Sequence, residues 1–154
     1  AAIRWLYRNP PPPPARRVIV HGDYRTGNVL HDGAGGINAV LDWEMAHIGD
    51  PHEDLGWALD ALWNAAPENT GAGLIMRDEA IALWEAASGL SFDPHAFRWW
   101  EVFASVKGMG IWISSAKAAS DGANTDPILA FSGLYPMVRS NRNLVTLMRE
   151  RMAA

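Results

Sequence analysis

The sequence predicts an α+β domain that is mostly helical, and three observations predict it. Short apolar runs suited to strands, Val18-Ile19-Val20, Asn28-Val29-Leu30 and residues 37–42, all fall in the first third of the 154-residue chain. Three Asp-Pro pairs, Asp50-Pro51, Asp93-Pro94 and Asp126-Pro127, then mark helix starts, because Asp suits the N-cap and Pro the first helical position. Between the last two pairs, residues 94–119 are apolar on most faces, which marks a central, buried helix.

Composition bounds the rest. With 154 residues and 49% hydrophobic content, one domain spanning 1–154 can bury a core of its own. A net charge of −4 carries no basic excess, so nucleic acid is not an expected partner. There is no cysteine, hence neither a disulfide frame nor a thiolate site. No apolar run approaches the ~18 residues of a membrane span, and no signal-peptide core precedes the domain. A cytoplasmic setting is the expectation.

Taken in order, residues 1–9 read as the end of a helix with Ile3, Leu6 and Tyr7 on one side. Five prolines at 10–14 force an extended connector. Pro11-x-x-Pro14-x-Arg16 also matches an SH3-ligand pattern, but a stiff spacer explains the prolines with less. The strand at 18–20 runs into a loop holding His21-Gly22-Asp23. A second short strand leaves at 28–30, glycines at 33–36 turn the chain, and a third strand at 37–42 ends on Asp42. This hairpin is expected to return Asp42 toward Asn28. Asp50 at the N-cap, Pro51 after it and Glu53 two residues on open a helix to about 65, with Leu55, Leu59, Leu62 and Trp63 on its apolar face. Residues 64–73 form a loop by composition. A helix over 77–88 is stopped by Gly89. The long helix at 94–119 follows, and a last helical region spans 127–152 with a break near Tyr135-Pro136.

The chemistry sits in the loop and hairpin. His21-x-Asp23 with Asn28 five residues after the aspartate, and Asp42 after a hairpin, is the layout of kinase-like phosphotransferases. Asp23 is the candidate catalytic base for an attacking hydroxyl. Asn28 and Asp42 are the candidate metal and cofactor ligands: Mg²⁺ is hard, takes oxygen donors, and commonly uses only one or two protein carboxylates beside the nucleotide phosphates. Arg25 is placed to contact phosphate or solvent. His21 suits a structural role in the loop. Glu44 supports the metal site or faces water.

The stretches HGDYRTGNVL and LDWEMAHIGDPHEDLGW resemble the aminoglycoside phosphotransferase family in its broad, choline-kinase-like sense. They are most similar to the branch related to the kinase-like domain of acyl-CoA dehydrogenase fusion proteins. His21, Gly22, Asp23, Gly27, Asn28, Asp42, Gly49, Asp50, Pro51, Asp54 and Leu55 carry the likeness, and a weaker one continues through Trp99-Trp100-Glu101-Val102-Phe103 to the C-terminus. The resemblance implies the C-terminal lobe of a protein-kinase-like fold, ATP and Mg²⁺ as cofactors, and phosphoryl transfer to a small-molecule hydroxyl. It also implies that Asp50 and Asp54 support the loop.

Other kinase-like parts are missing from the 154 residues. No G-x-G-x-x-G occurs, and the only lysines, Lys107 and Lys117, lie in the long helix. The chain also begins without methionine and in mid-element, so the N-terminal nucleotide-clamping lobe is expected as a partner outside it. Two alternatives stand beside this: an inactive fragment or binding module, and a metal-dependent hydrolase built on His31, His47, His52 and His95. The hydrolase lacks H-x-H or H-E-x-x-H spacing. The acceptor is expected to be neutral or anionic rather than polycationic. From residue 127 onward the chain has Arg139, Arg142, Arg149 and Arg151 against Glu150 alone, and the long helix adds Arg98, Lys107 and Lys117 against Glu101 and Asp121.

Overall fold

The computed structural model of the chain describes residues 1–63, 70–71 and 74–152. Helix α1 (Ala2–Arg8) precedes strands β1 (Val18–Val20), β2 (Val29–His31), β3 (Ile37–Val40) and β4 (His47–Gly49). Helix α2 (His52–Ala58), the short pair β5 (Thr70–Gly71) and β6 (Ile75–Met76), and helices α3 (Arg77–Ser88), α4 (Pro94–Ser120), α5 (Pro127–Ser132) and α6 (Tyr135–Met152) follow. The fold is α+β and mostly helical, with small antiparallel sheets.

Helix α4 is the spine. Its N-cap is Asp93, whose carboxylate accepts the N–H groups of His95 (2.8 Å) and Ala96 (3.3 Å). Phe97 of α4 packs with Leu55 of α2 and with Leu59 just after it, supported by Ile81 and Trp84 of α3. One turn and a half later, Val102 packs with Ala2 and Leu6 of α1 and Met148 of α6. A single helix thus serves both apolar clusters, which is why its sequence is apolar on most faces.

Several elements differ from expectation. In α1 the buried residues are Ala2 and Leu6, with Trp5 packed against the core, whereas Ile3 and Tyr7 face solvent. The buried stripe is turned away from the one the isoleucine and tyrosine suggested, because α4 takes the side carrying small Ala2. Strand β4, His-Ile-Gly, has no strand signature of its own. It is a strand because β1 pairs with it, Val18 opposite Gly49 and Val20 opposite His47. In β1 only Val20 is fully buried, and Ile19 is exposed, as alternation in a two-stranded sheet requires. Asn28 belongs to a 3₁₀ turn, Thr26–Asn28, ahead of β2, and β3 stops at Val40, short of Asp42.

Helix α2 ends at Ala58 rather than near 65. The Asp60 carboxylate accepts the Leu62 N–H at 2.8 Å, starting a separate 3₁₀ turn, Ala61–Trp63. Residues 64–69 and 72–73 of the expected loop lie outside the described residues. Helix α3 and the left-handed Gly89 after it stand where expected (φ 67°). The break between α5 and α6 falls at Gly133-Leu134, and Pro136 sits in the first turn of α6, where its missing N–H costs nothing.

Candidate active site

Strand β1 ends in the core at Val20 and delivers His21, Gly22 and Asp23. Asp54, on α2, grips the backbone there: its carboxylate accepts the N–H of His21 at 2.6 Å and of Gly22 at 2.9 Å. The buried His21 ring donates from Nε2 to the Leu41 carbonyl (2.7 Å) and accepts the Asp23 N–H at Nδ1 (3.1 Å). Those two bonds select one tautomer and tie the end of β1 to the end of β3. Gly22 has φ +85°, and a Cβ there would lie 2.7 Å from the Met45 carbonyl oxygen and 2.8 Å from the Met45 Cβ. Only glycine fits such a backbone at such a distance.

Asp23 is a half-buried carboxylate held by three side-chain donors. Trp57 Nε1 donates to Oδ1 at 2.7 Å, Asn28 Nδ2 to Oδ2 at 2.7 Å, and Arg25 Nε to Oδ2 at 3.1 Å and Oδ1 at 3.3 Å. Its side chain is 17% exposed, so one edge still meets solvent. The Arg25 Nε–H is shared between the two oxygens, so each carboxylate oxygen accepts from two donors. Arg25 bends over the loop above Gly27, where a Cβ would lie 2.1 Å from the guanidinium, and its cation stands 5.3 Å from the Trp63 ring centre.

Asn28 is buried, and its amide nitrogen also donates to the Asp23 carbonyl at 2.9 Å. The nitrogen being committed to Asp23, oxygen is what this side chain can offer a cation. The Leu41 N–H donates to the Asn28 carbonyl at 2.8 Å, beyond the β2–β3 ladder in which Val29 faces Val40. The hairpin therefore carries Asp42 to within one residue of the Asn28 backbone. Asp42 is exposed and left-handed (φ 68°, ψ 52°), the one non-glycine residue with positive φ among those described. Aspartate tolerates that conformation better than most residues, yet it is a sparsely populated one of the kind found at functional sites. Glu44 is exposed on the 3₁₀ turn Trp43–Met45.

Behind the loop lies a charged layer. The Asp50 carboxylate accepts the His52 N–H (2.8 Å) and pairs with His52 Nδ1 (2.9 Å), while His52 Nε2 accepts the Asp93 N–H (3.1 Å). The starts of α2 and α4 are thereby joined. Burial pushes the Asp50 carboxyl up, but the bonds from His52 outweigh it and hold the group below the usual range. Glu53 does not fold back as a capping-box residue. It pairs with His47 Nε2 (3.1 Å) and stands 3.9 Å from Lys107 Nζ. Lys107 turns inward from α4 to donate to the Gly22 carbonyl, with its cation 4.9 Å from the Trp57 ring centre.

Trp57 and Lys107 are the residues that sequence reasoning missed. Each left a signal. A lysine amid the apolar 94–119 run needs a buried partner, and Trp57 lies three residues from Asp54, on the same helical face. Lys107 consequently drops out of the charge balance of an acceptor surface. Lys117 pairs with Asp121, and Arg142 and Arg149 are exposed, whereas Arg139 reaches back to the Ala61 carbonyl (3.0 Å). The side chains of Glu150 and Arg151 lie outside the described residues. Among the described residues no three His, Asp or Glu side chains converge on a common point, and His47 and His52 are held by Glu53 and Asp50. No helix among them is long and apolar enough to cross a membrane.

Comparison with known proteins places this geometry. Residues 1–100 match the model of the phosphotransferase enzyme family. Acyl-CoA dehydrogenase family member 11 of Gallus gallus is 39% identical over 100 residues, covering 57% of this chain and 13% of that protein. The Rattus norvegicus protein of the same name is 26% identical over 156 residues, covering 91% of this chain and 20% of its own length. The chain therefore spans a small part of the curated relatives it matches. A solved structure from Ralstonia eutropha JMP134, provisionally described as an aminoglycoside phosphotransferase, superposes with a TM-score of 0.72 at 22% identity, over 96% of this chain and 48% of that one. At that identity the likeness is one of fold, the kinase-like fold. On the family match over its first 100 residues, the chain belongs to the phosphotransferase enzyme family.

Proposed function

We propose that the chain carries the base and cation ligands of an ATP-dependent phosphotransferase whose acceptor is a small-molecule hydroxyl. The observation that carries this is the setting of Asp23: a carboxylate at the solvent edge, oriented by Trp57, Asn28 and an Arg25 N–H shared between its two oxygens. The acceptor hydroxyl donates to the solvent-facing edge of that carboxylate, in place of one branch of the shared Arg25 contact. Asp23 orients the oxygen and takes its proton as the new bond forms, and little nucleophilic push is needed because the transition state is loose. Arg25 spends its Nε–H on Asp23 and keeps its terminal amino groups for a phosphate.

The oxygen donors present suit Mg²⁺. Asn28, its nitrogen turned to Asp23, and the exposed carboxylate of Asp42 would hold the ion. When bound with ATP, Mg²⁺ supplies neutralisation of the phosphate charge. We further propose that a phosphate-clamping lobe encoded outside these 154 residues completes the site, since no glycine-rich loop or strand lysine is among them. The acceptor is an anionic or neutral alcohol, such as a hydroxy acid or its acyl thioester. Arg25 at the site and Arg139 beside the Ala61–Trp63 turn favour it over a polycation.

The test is an ADP-release assay on the full-length protein, with hydroxy acids, hydroxyacyl-CoA and kanamycin-type aminoglycosides as acceptors. Asp23→Asn is expected to lower kcat by about 10²–10⁴-fold with the KM for Mg·ATP little changed. An Asp23→Asn variant with parental kcat removes Asp23 as the base. Turnover of aminoglycosides with none on the acids overturns the acceptor class.

A further inference from the structure

We propose that Lys107 is a positioning residue for the transfer reaction: from α4 it clamps the peptide unit between Gly22 and Asp23 and so sets the direction of the Asp23 carboxylate. The inference rests on the phosphotransferase function above. It starts from the backbone rather than from the side chains of the site.

The peptide unit joining Gly22 to Asp23 has two polar ends. Its N–H, on Asp23, donates to His21 Nδ1 at 3.1 Å. Its carbonyl, on Gly22, accepts from the Lys107 ammonium. The preceding N–H groups, on His21 and Gly22, are held by Asp54. Every polar backbone group from His21 N–H to Asp23 N–H that these bonds involve thus has a side-chain partner, and Lys107 supplies the only carbonyl contact among them. Gly22 approaches Met45 so closely that a Cβ on it would lie 2.7 Å from the Met45 carbonyl oxygen, which limits the room beside this peptide. A peptide plane fixed at both ends fixes the N–Cα bond of the residue that follows, leaving only rotations about that bond and within the side chain to aim the carboxylate.

Lys107 is also tied to the side-chain frame of Asp23. Its ammonium lies over the ring of Trp57, and Trp57 Nε1 donates to Asp23 Oδ1 at 2.7 Å. A cation on the face of the indole makes that N–H a better donor and holds the ring in place. Burial holds the Lys107 ammonium below its ordinary value, and the charges of Glu53, Asp23 and Asp54 oppose that shift. The side chain is only 13% exposed, so the contact is shielded from solvent. A base misplaced by about 1 Å costs on the order of 10²-fold in rate. A residue 85 positions away from Gly22 in sequence can therefore govern the reaction without touching substrate.

The experiment uses Lys107→Met, Lys107→Gln and Lys107→Arg in the full-length protein, read by steady-state kinetics and by amide exchange of the segment 20–25. Lys107→Met is expected to lower kcat by about 10- to 100-fold with the KM for Mg·ATP within about twofold. Protection of the 20–25 segment is expected to fall about tenfold or more, while α4 and α6 stay protected. Lys107→Arg, which keeps the charge and the donor, is expected to restore most of both. Should Lys107→Met not fold, Lys107→Gln decides by the same readouts, since its polar but uncharged amide ends one atom short of the ammonium. Parental kcat in the Met or Gln variant, or a loss that merely follows the folded fraction, overturns the positioning role. Loss of protection in a protein whose parent transfers phosphate to no acceptor upholds the clamp and overturns the phosphotransferase function instead.

Discussion

Replacing Asp54 by alanine removes the carboxylate that accepts two backbone N–H groups, at 2.6 Å from His21 and 2.9 Å from Gly22. Both bonds are charge-assisted and partly buried. A buried donor stripped of its acceptor costs roughly 1–3 kcal/mol, and water reaching the half-exposed side offsets some of that, so Asp54→Ala should destabilise by about 2–4 kcal/mol. Asparagine keeps one acceptor oxygen but turns an NH₂ toward the other N–H, so Asp54→Asn should cost about as much as half that range or more. The measurement is urea unfolding of the 154-residue chain, read as a shift of midpoint at constant slope. In heat the same loss corresponds to roughly 5–15 °C for a domain of this size. An Asp54→Ala midpoint within about 0.5 kcal/mol of the parent would refute the reasoning, because it would mean that the two N–H groups find other partners at little cost.

Two further predictions concern strain and pH. Asp42 holds a left-handed backbone that costs a non-glycine residue about 1–2 kcal/mol, and glycine in its place gives back about 0.5–1 kcal/mol through chain entropy. Asp42→Gly should therefore be as stable as the parent or about 0.5 kcal/mol more so, while needing more Mg²⁺ for activity; a clear loss of stability would assign the carboxylate a structural role. His47 titrates above its usual value, chiefly through its bond to the Met45 carbonyl and, against some desolvation, through Glu53. A raised folded-state pKa stabilises fully below the unfolded value and is lost as pH rises through the folded one. The parent should lose stability relative to His47→Gln as pH rises from below the ordinary histidine value through the raised folded-state one, by an amount that salt reduces, and parallel pH profiles of unfolding midpoint would exclude the effect.

Much of the fold is legible because its signals are local. Asp93 and Asp126 cap their helices through N–H groups two or three residues on, and Gly89 ends α3 with a backbone only glycine adopts readily. The hairpin that carries Asp42 back to Asn28 follows from two short strands and a glycine turn. The motif residues Asp23, Arg25 and Asn28 lie within six positions of one another, so a single loop is enough to bring them into contact. The α1 face, the end of α2 and strand β4 were not legible, since each depends on which surface a distant element presents. Ala2 is buried only because α4 lies against it, and β4 exists only because β1 offers it a ladder.

The sequence by itself determined the helix starts, the central helix, the loop and hairpin, and the residue types of the candidate site. All of these are set by interactions over a few positions, where chain geometry leaves little choice. Only the tertiary structure decided what surrounds Asp23. Asp54, Trp57 and Lys107 come to the loop across sequence separations of 32, 34 and 85 residues, from Gly22, Asp23 and Gly22 respectively. Their arrival depends on the burial of α2 and α4, which is a property of the whole core. Once that core forms, a half-buried ammonium, a half-buried carboxylate and an indole N–H must find partners, and the loop supplies them: the backbone of His21 and Gly22 and the carboxylate of Asp23.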